Sequence, residues 1–162
     1  GGGVILDPGV HVLDLIQFLF TDDISQFRFH NTLTWSGFWN TGIEELAFVN
    51  GSVGSIALSA RFSKVAWKTR FSLEVSGSEG YAIVNGRGRS DGPQTLHIGK
   101  RWAWMSCVKQ IDSEICLVQS EFDDSIFMET AGWLDSDARV GKAKDGLNCE
   151  ILRQNILKVL SK

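Results

Sequence analysis

The chain alternates between two hydrophobic periods. Over residues 7–20 apolar positions fall on nearly every side of a helical projection: Val10, Val12, Leu13, Leu15, Ile16, Leu19 and Phe20. Asp7 is a good N-cap, and Pro8 follows it where helices tolerate proline best, at the first helical position. Thr21-Asp22-Asp23 ends this helix. The period then shortens to two. Residues 24–35 read as a strand, with Phe27 and Phe29 alternating against Gln26, Arg28 and His30. Residues 44–49 and 53–62 flank Asn50-Gly51, a pair that predicts a tight hairpin turn. In the second run Ile56, Leu58, Ala60 and Phe62 share one face, and Ala57, Ser59 and Arg61 the other.

Phe71, Leu73 and Val75 repeat the alternation, residues 76–80 form a turn, and residues 81–84 return. A glycine-rich loop at 85–92 precedes a short strand at 95–98. Residues 100–119 show no clear period. Helical spacing resumes over 120–134 and again from a cap at Asp145 to about residue 160, with Leu147, Ile151, Ile156, Val159 and Leu160 as the apolar stripe. A helix, consecutive antiparallel strands and then helices predict an α+β fold. Its expected form is an open, mainly antiparallel sheet with helices packed on one face. The other, more polar face is left for solvent or a partner subunit. No repeat or linker divides residues 1–162, so a single domain is expected.

Composition narrows the class. The 162 residues are 43% hydrophobic and 22% charged, which excludes a disordered chain. The net charge of −3, with no basic tract and no zinc-finger spacing, argues against nucleic acid as a partner. The longest apolar run, residues 10–20, is broken by His11, Asp14 and Gln17, so no membrane span is expected. Cys107, Cys116 and Cys149 are widely spaced and form no Cys-x-x-Cys pair. They read as reduced thiols or apolar fillers of a cytoplasmic protein.

Asp7, His11 and Asp14 are spaced i, i+4, i+7, along one stripe of the first helix. Ionisable groups on a helix so apolar need pairing. One reading is a general acid/base: an imidazole titrating near neutrality takes a proton from an alcohol and returns it, while a carboxylate on its other nitrogen fixes the tautomer. The other reading is a structural ion pair with a helix cap. A metal site lacks an evident fourth ligand, so none is expected.

Gly1-Gly2-Gly3-Val4-Ile5-Leu6-Asp7-Pro8-Gly9-Val10-His11-Val12-Leu13-Asp14 resembles the Gly-Gly-x-x-x-Asp-x-Gly-x-His-x-x-Asp signature of the glucose–fructose oxidoreductase, inositol dehydrogenase and MocA family. Asn50-Gly51-Ser52-Val53-Gly54 resembles the family's hairpin, and Leu73-Glu74-Val75-Ser76-Gly77-Ser78-Glu79-Gly80 its next strand and turn. Residues 122–134, Asp145-Gly146-Leu147 and the final helix resemble its ending. The likeness runs through nearly the whole chain in order.

The resemblance implies the carboxy-terminal, substrate-side domain of a two-domain NAD- or NADP-dependent oxidoreductase, of the dihydrodipicolinate-reductase-like kind, acting on a sugar, polyol or related hydroxy compound. By motif, His11 would be the acid/base, Asp7 its neighbouring carboxylate, and Asp14 a support. The open sheet face would make a homo-oligomer. The family's amino-terminal Rossmann domain, with its glycine fingerprint and Glu-Lys-Pro lysine, has no counterpart here. Gly86-Arg87-Gly88-Arg89 lies in a predicted hairpin loop and opens no βαβ unit. No cofactor-binding residue is identified, and the isolated chain is expected to bind no cofactor and to be inactive. A stand-alone, non-catalytic oligomerisation or carbohydrate-binding module derived from the same family is the alternative. Whether the chain is itself an enzyme, and whether its shortness is natural, stays open at this point.

Arg61 and Trp67 are candidate substrate residues, because an aromatic ring stacks on sugar C–H faces while a guanidinium binds hydroxyls; packing or solvation is the simpler role for both. His30 and His97 read as sheet-face residues, and Trp102 and Trp104 as strand or interface residues.

Overall fold

The computed structural model describes residues 2–87, 92–100, 115–120, 124–135 and 141–160. They form three α-helices and two antiparallel sheets, an α+β fold. The chain divides into two compact units, Gly1–Val65 with Ala138–Lys162, and Ala66–Asp137. Trp102 and Trp104 lie outside the described residues.

The first unit is a two-layer structure. Its sheet has the order β1 (Phe27–Trp35), β2 (Leu46–Val53), β3 (Ile56–Ser63). Helices α1 (Gly9–Phe20) and α3 (Ala143–Leu160) pack on each other, and α3 packs on β1. Leu13 and Ile16 of α1, Phe27, Ala47, Val49, Val53 and Phe62 of the sheet, and Cys149, Leu152 and Ile156 of α3 make one buried core with Val4 and Ile5. Each fully buried Leu or Ile contributes about 1.5–3 kcal/mol by removal from water.

The hairpin turn is not at Asn50-Gly51. Both residues sit inside β2, and the chain reverses after Val53 through Gly54-Ser55, where Gly54 takes φ +56°. Gly51 serves a different need. It faces a β-bulge in β1, where the register shifts between Phe29 and Asn31, and a Cβ there would run into the carbonyl oxygen of Arg28. Glycine inside a strand marks this kind of close backbone approach. The bulge also inverts the alternation of β1. Phe27 and Phe29 face the core, but beyond the extra residue Thr32 is buried while Leu33 and Trp35 are exposed. A one-residue shift of register moves every later side chain to the other face.

Both helices of this unit depart from the pattern reading. The α1 N-cap is Pro8, with no side-chain cap bond, and not the predicted Asp7. Residues 3–7 close a turn first, with the amides of Leu6 and Asp7 donating to the carbonyl of Gly3 at 3.1 and 3.0 Å. This turn delays the helix to Gly9. Nor is α1 buried all round, because His11, Asp14, Phe18 and Leu19 are exposed. In α3 the buried stripe is Asn148, Cys149, Leu152 and Ile156, while Leu147 and Ile151 face outward. Asp145 occupies the third helical position and accepts from the amide of Lys142 at 2.8 Å, the backward half of a capping box.

The second unit holds β4 (Ser72–Ser76), β5 (Gly80–Asn85), β6 (Gln94–Lys100) and β7 (Ile115–Ser120), paired antiparallel in that order. Leu73, Val84 and Leu96 align across the strands as half-buried partners. The turn at 77–79 is closed by the Gly77 amide on the carbonyl of Gly80, 2.8 Å. Helix α2 (Ser125–Leu134) belongs to this unit. Its residues Ile126, Phe127 and Trp133 are exposed. Among the described residues, no helix is long and apolar enough to cross a membrane.

Candidate active site

Asp7 and His11 stand at the entry to α1. The turn on Gly3 places Asp7, and the His11 amide donates to the carbonyl of Pro8 at 3.1 Å in the first helical turn. Gly9 lies between them, buried, with the Phe62 ring beside it. The short side of the chain here lets β3 approach the helix start. Both side chains are exposed, and the Asp7 carboxylate forms an ion pair with the Lys64 ammonium at 3.6 Å. Lys64 follows β3, and its amide donates to the carbonyl of Glu45 at 2.8 Å. Sequence reasoning passes over Lys64, because nothing in its local pattern distinguishes it from any other surface cation.

His11 and Asp14 are three residues apart on one helix face. The Asp14 carboxylate also takes a second role. The thiol of Cys149 donates to its Oδ1 across 3.8 Å, and Gln17 Nε2 donates to the same sulfur at 3.0 Å. Burial pushes the Cys149 thiol up, the Asp14 charge adds to this, and the result is about 11. The thiol is therefore protonated at neutral pH and holds Asp14 as a hydrogen-bond donor.

Arg61 and Trp67 fall in different units. Arg61 lies on the outer face of β3, away from the core face that carries Phe62, with its guanidinium 5.9 Å from the ring centre of Phe48. Trp67 belongs to the other unit and is 79% exposed, with Lys68 and Arg70 at 5.4 and 5.1 Å from its ring. His30 is exposed on β1, and His97 is half-buried on β6 between Ile83 and Cys116.

Gly86 opens no phosphate-binding helix. Gly86 has φ +71° and its amide donates to the carbonyl of Phe71 at 3.0 Å. This bond extends the β4–β5 pairing, and the next described element is the strand β6, not a helix N-terminus that could hold a pyrophosphate. Gly88 and Arg89 lie outside the described residues. Among the described residues, no three His, Cys, Asp or Glu side chains are placed to hold a metal ion.

No family model and no curated protein sequence matches the chain. Solved structures share its fold, among them two complexes. Both are of KijD10, a 3-ketoreductase from Actinomadura kijaniata, in complex with TDP-benzene and NADP. A point mutant gives a TM-score of 0.63 at 15% identity, covering 98% of this chain and 48% of that one. The open conformation gives 0.58 at 15% identity, covering 98% and 46%. This chain thus spans about half the length of those chains, and the likeness is one of fold.

Proposed function

We propose that this chain is the substrate-side part of an NAD(P)-dependent oxidoreductase acting on a sugar, polyol or related hydroxy compound. The observation that carries this reading is the exposed pair Asp7 and His11 at the start of α1, in a fold shared with a 3-ketoreductase. In this reading His11 exchanges a proton with the substrate oxygen, and its exposure leaves the ring open to that oxygen. Asp7, steadied by Lys64, supplies negative charge beside it. Asp14, held by Cys149, shares the His11 face of the helix. NAD(P) supplies or accepts hydride when bound. In this reading its binding falls to a segment other than these residues.

Calorimetric titration of the chain with NADH and NADPH should give no binding heat, and micromolar binding would remove the need for that segment. Methyl β-glucopyranoside should shift the His11 ring resonances, identified by their loss in H11A; unmoved resonances would overturn the substrate reading. With a dinucleotide-binding domain supplied, H11A should lower kcat/KM by about 10²–10⁴-fold.

A second reading is a non-catalytic carbohydrate-binding or oligomerisation module. The exposed apolar residues on the outer face of the first sheet favour it. The aligned row Leu33, Phe48 and Arg61 on the outer sheet face would then serve self-association, which sedimentation velocity tests directly.

A further inference from the structure

Glu45 is only 2% exposed, yet no cation pairs with it among the described residues. Its oxygens are used up by one loop. Oε2 accepts from the Phe38 amide at 2.7 Å, and Oε1 accepts from the Trp39 amide at 3.0 Å and the Thr41 hydroxyl at 3.1 Å. A buried carboxylate is tolerated only when its oxygens are satisfied in this way. The loop so held, residues 36–43, turns through positive φ at Gly37, Asn40 and Gly42.

What the loop presents is two aromatic rings in solvent. Phe38 and Trp39 are 59% and 60% exposed and meet edge to face, with ring centres 4.7 Å apart. The Trp39 indole N–H donates to the carbonyl of Lys64 at 3.2 Å. The Trp39 ring is therefore held without being buried, which gains the fold little hydrophobic stabilisation. Lys64 is also the residue whose ammonium meets Asp7. One lysine thus links the indole to the candidate active site. An aromatic ring tied to the residue whose ammonium meets a carboxylate suits a ligand with an apolar C–H face and a rim of hydroxyls.

We infer that Trp39 forms the aromatic wall of the substrate subsite beside Asp7 and His11, stacking on a pyranose ring, and that Glu45 is the residue that positions it. This rests on the proposed function and adds the surface that would select a ring-shaped substrate.

The test follows tryptophan indole N–H signals of the isotope-labelled chain during titration with methyl β-glucopyranoside, whose ring faces are lined by axial C–H bonds. The signal lost in W39F is assigned to Trp39, and the dispersion of the other indole signals reports an intact fold. The Trp39 and His11 signals should move together. W39A should weaken binding about fivefold, as expected for one lost ring contact. E45Q should broaden the Trp39 signal and weaken binding similarly, while the other indole signals stay in place. His11 moving with Trp39 still would overturn this inference and leave the proposed function standing. Neither moving would overturn both. Trp39 moving alone would keep a sugar site and detach it from His11, overturning the shared subsite. An unmoved Trp39, with W39A lowering the sedimentation coefficient, would assign the ring to an interface and overturn the inference.

Discussion

The thiol of Cys149 donates a hydrogen bond to Asp14 Oδ1 across 3.8 Å, joining α3 to the helix that carries His11. A surface carboxylate and a buried sulfur thus become one structural unit. Burial, reinforced by the Asp14 charge, raises the thiol to about 11, so the sulfur remains a donor throughout the neutral range. Nearby Gln17 donates to the sulfur as well, while its own Oε1 is buried without a partner among the described residues.

In a variant lacking the other two cysteines, C107S/C116S, alkylation of Cys149 by iodoacetamide should be slow near neutrality. Its rate should rise along a titration centred near 11. D14N removes the neighbouring charge and should move that titration toward the ordinary thiol range. The folded value lies above the unfolded one. The corresponding stability is therefore whole below the unfolded thiol value and is lost as pH rises toward 11. A titration of the native chain at the ordinary thiol value would refute the coupling.

Gly51 and Gly54 should respond oppositely to substitution. G51A forces a Cβ into the Arg28 carbonyl at the bulge, and backbone cannot give way as a side chain can. A loss of about 2–3 kcal/mol is expected in urea unfolding. G54N keeps a residue that tolerates φ +56° and should change stability by less than about 1 kcal/mol. Equal losses at both positions would contradict the register of β1 on β2.

The last helix offers a matched pair of leucines. Leu152 is fully buried, and L152A should cost about 2–5 kcal/mol through lost burial and the cavity left behind. Leu147 is 62% exposed, so L147A should stay within about 0.5 kcal/mol. Thermal unfolding of the two variants side by side separates the observed buried stripe from the one that simple periodicity selects.

Acid should release the aromatic loop before it unfolds the core. Burial pushes the Glu45 carboxyl upward, but the amides of Phe38 and Trp39 and the groups of Thr41 outweigh it and hold the carboxyl below its ordinary range. Its contribution is therefore present above the ordinary carboxylate pKa and fades as pH falls through the lowered folded value. The Trp39 indole signal should lose its dispersion in that acid window while core methyl signals persist. In E45Q the loop should be loose at every pH, with no acid transition of its own.

Some of this is legible in the residues themselves. The α+β class follows from where the hydrophobic period changes. The strands near residues 27, 56, 72, 80 and 94, and the two carboxy-terminal helices, follow from the same signal. Phe62 inward and Arg61 outward follow from period two alone. The candidate chemistry is also local: Asp7, His11 and Asp14 are visible as a spaced group, and their motif supplies the family resemblance.

The remainder depends on contacts between distant segments, which no local period contains. Asn50-Gly51 has the composition of a turn, yet the Arg28 carbonyl, more than twenty residues away, requires glycine inside the strand. The bulge opposite it decides that Leu33 and Trp35 face solvent. Asp7 has the composition of a helix cap, yet the turn on Gly3 and the charge of Lys64 draw it elsewhere. Ile156 follows from spacing, but Leu147 and Ile151 have the same spacing and face outward, because the packing of α3 on β1 and α1 selects Cys149 and Leu152. Trp39 reads as an ordinary loop residue until Glu45 is seen buried beneath it. Sequence pattern determines which segments are helix or strand, because that depends on neighbours along the chain. Which face is buried, which residue caps and which loop is held is decided by close packing and paired charges, which only the folded chain brings together.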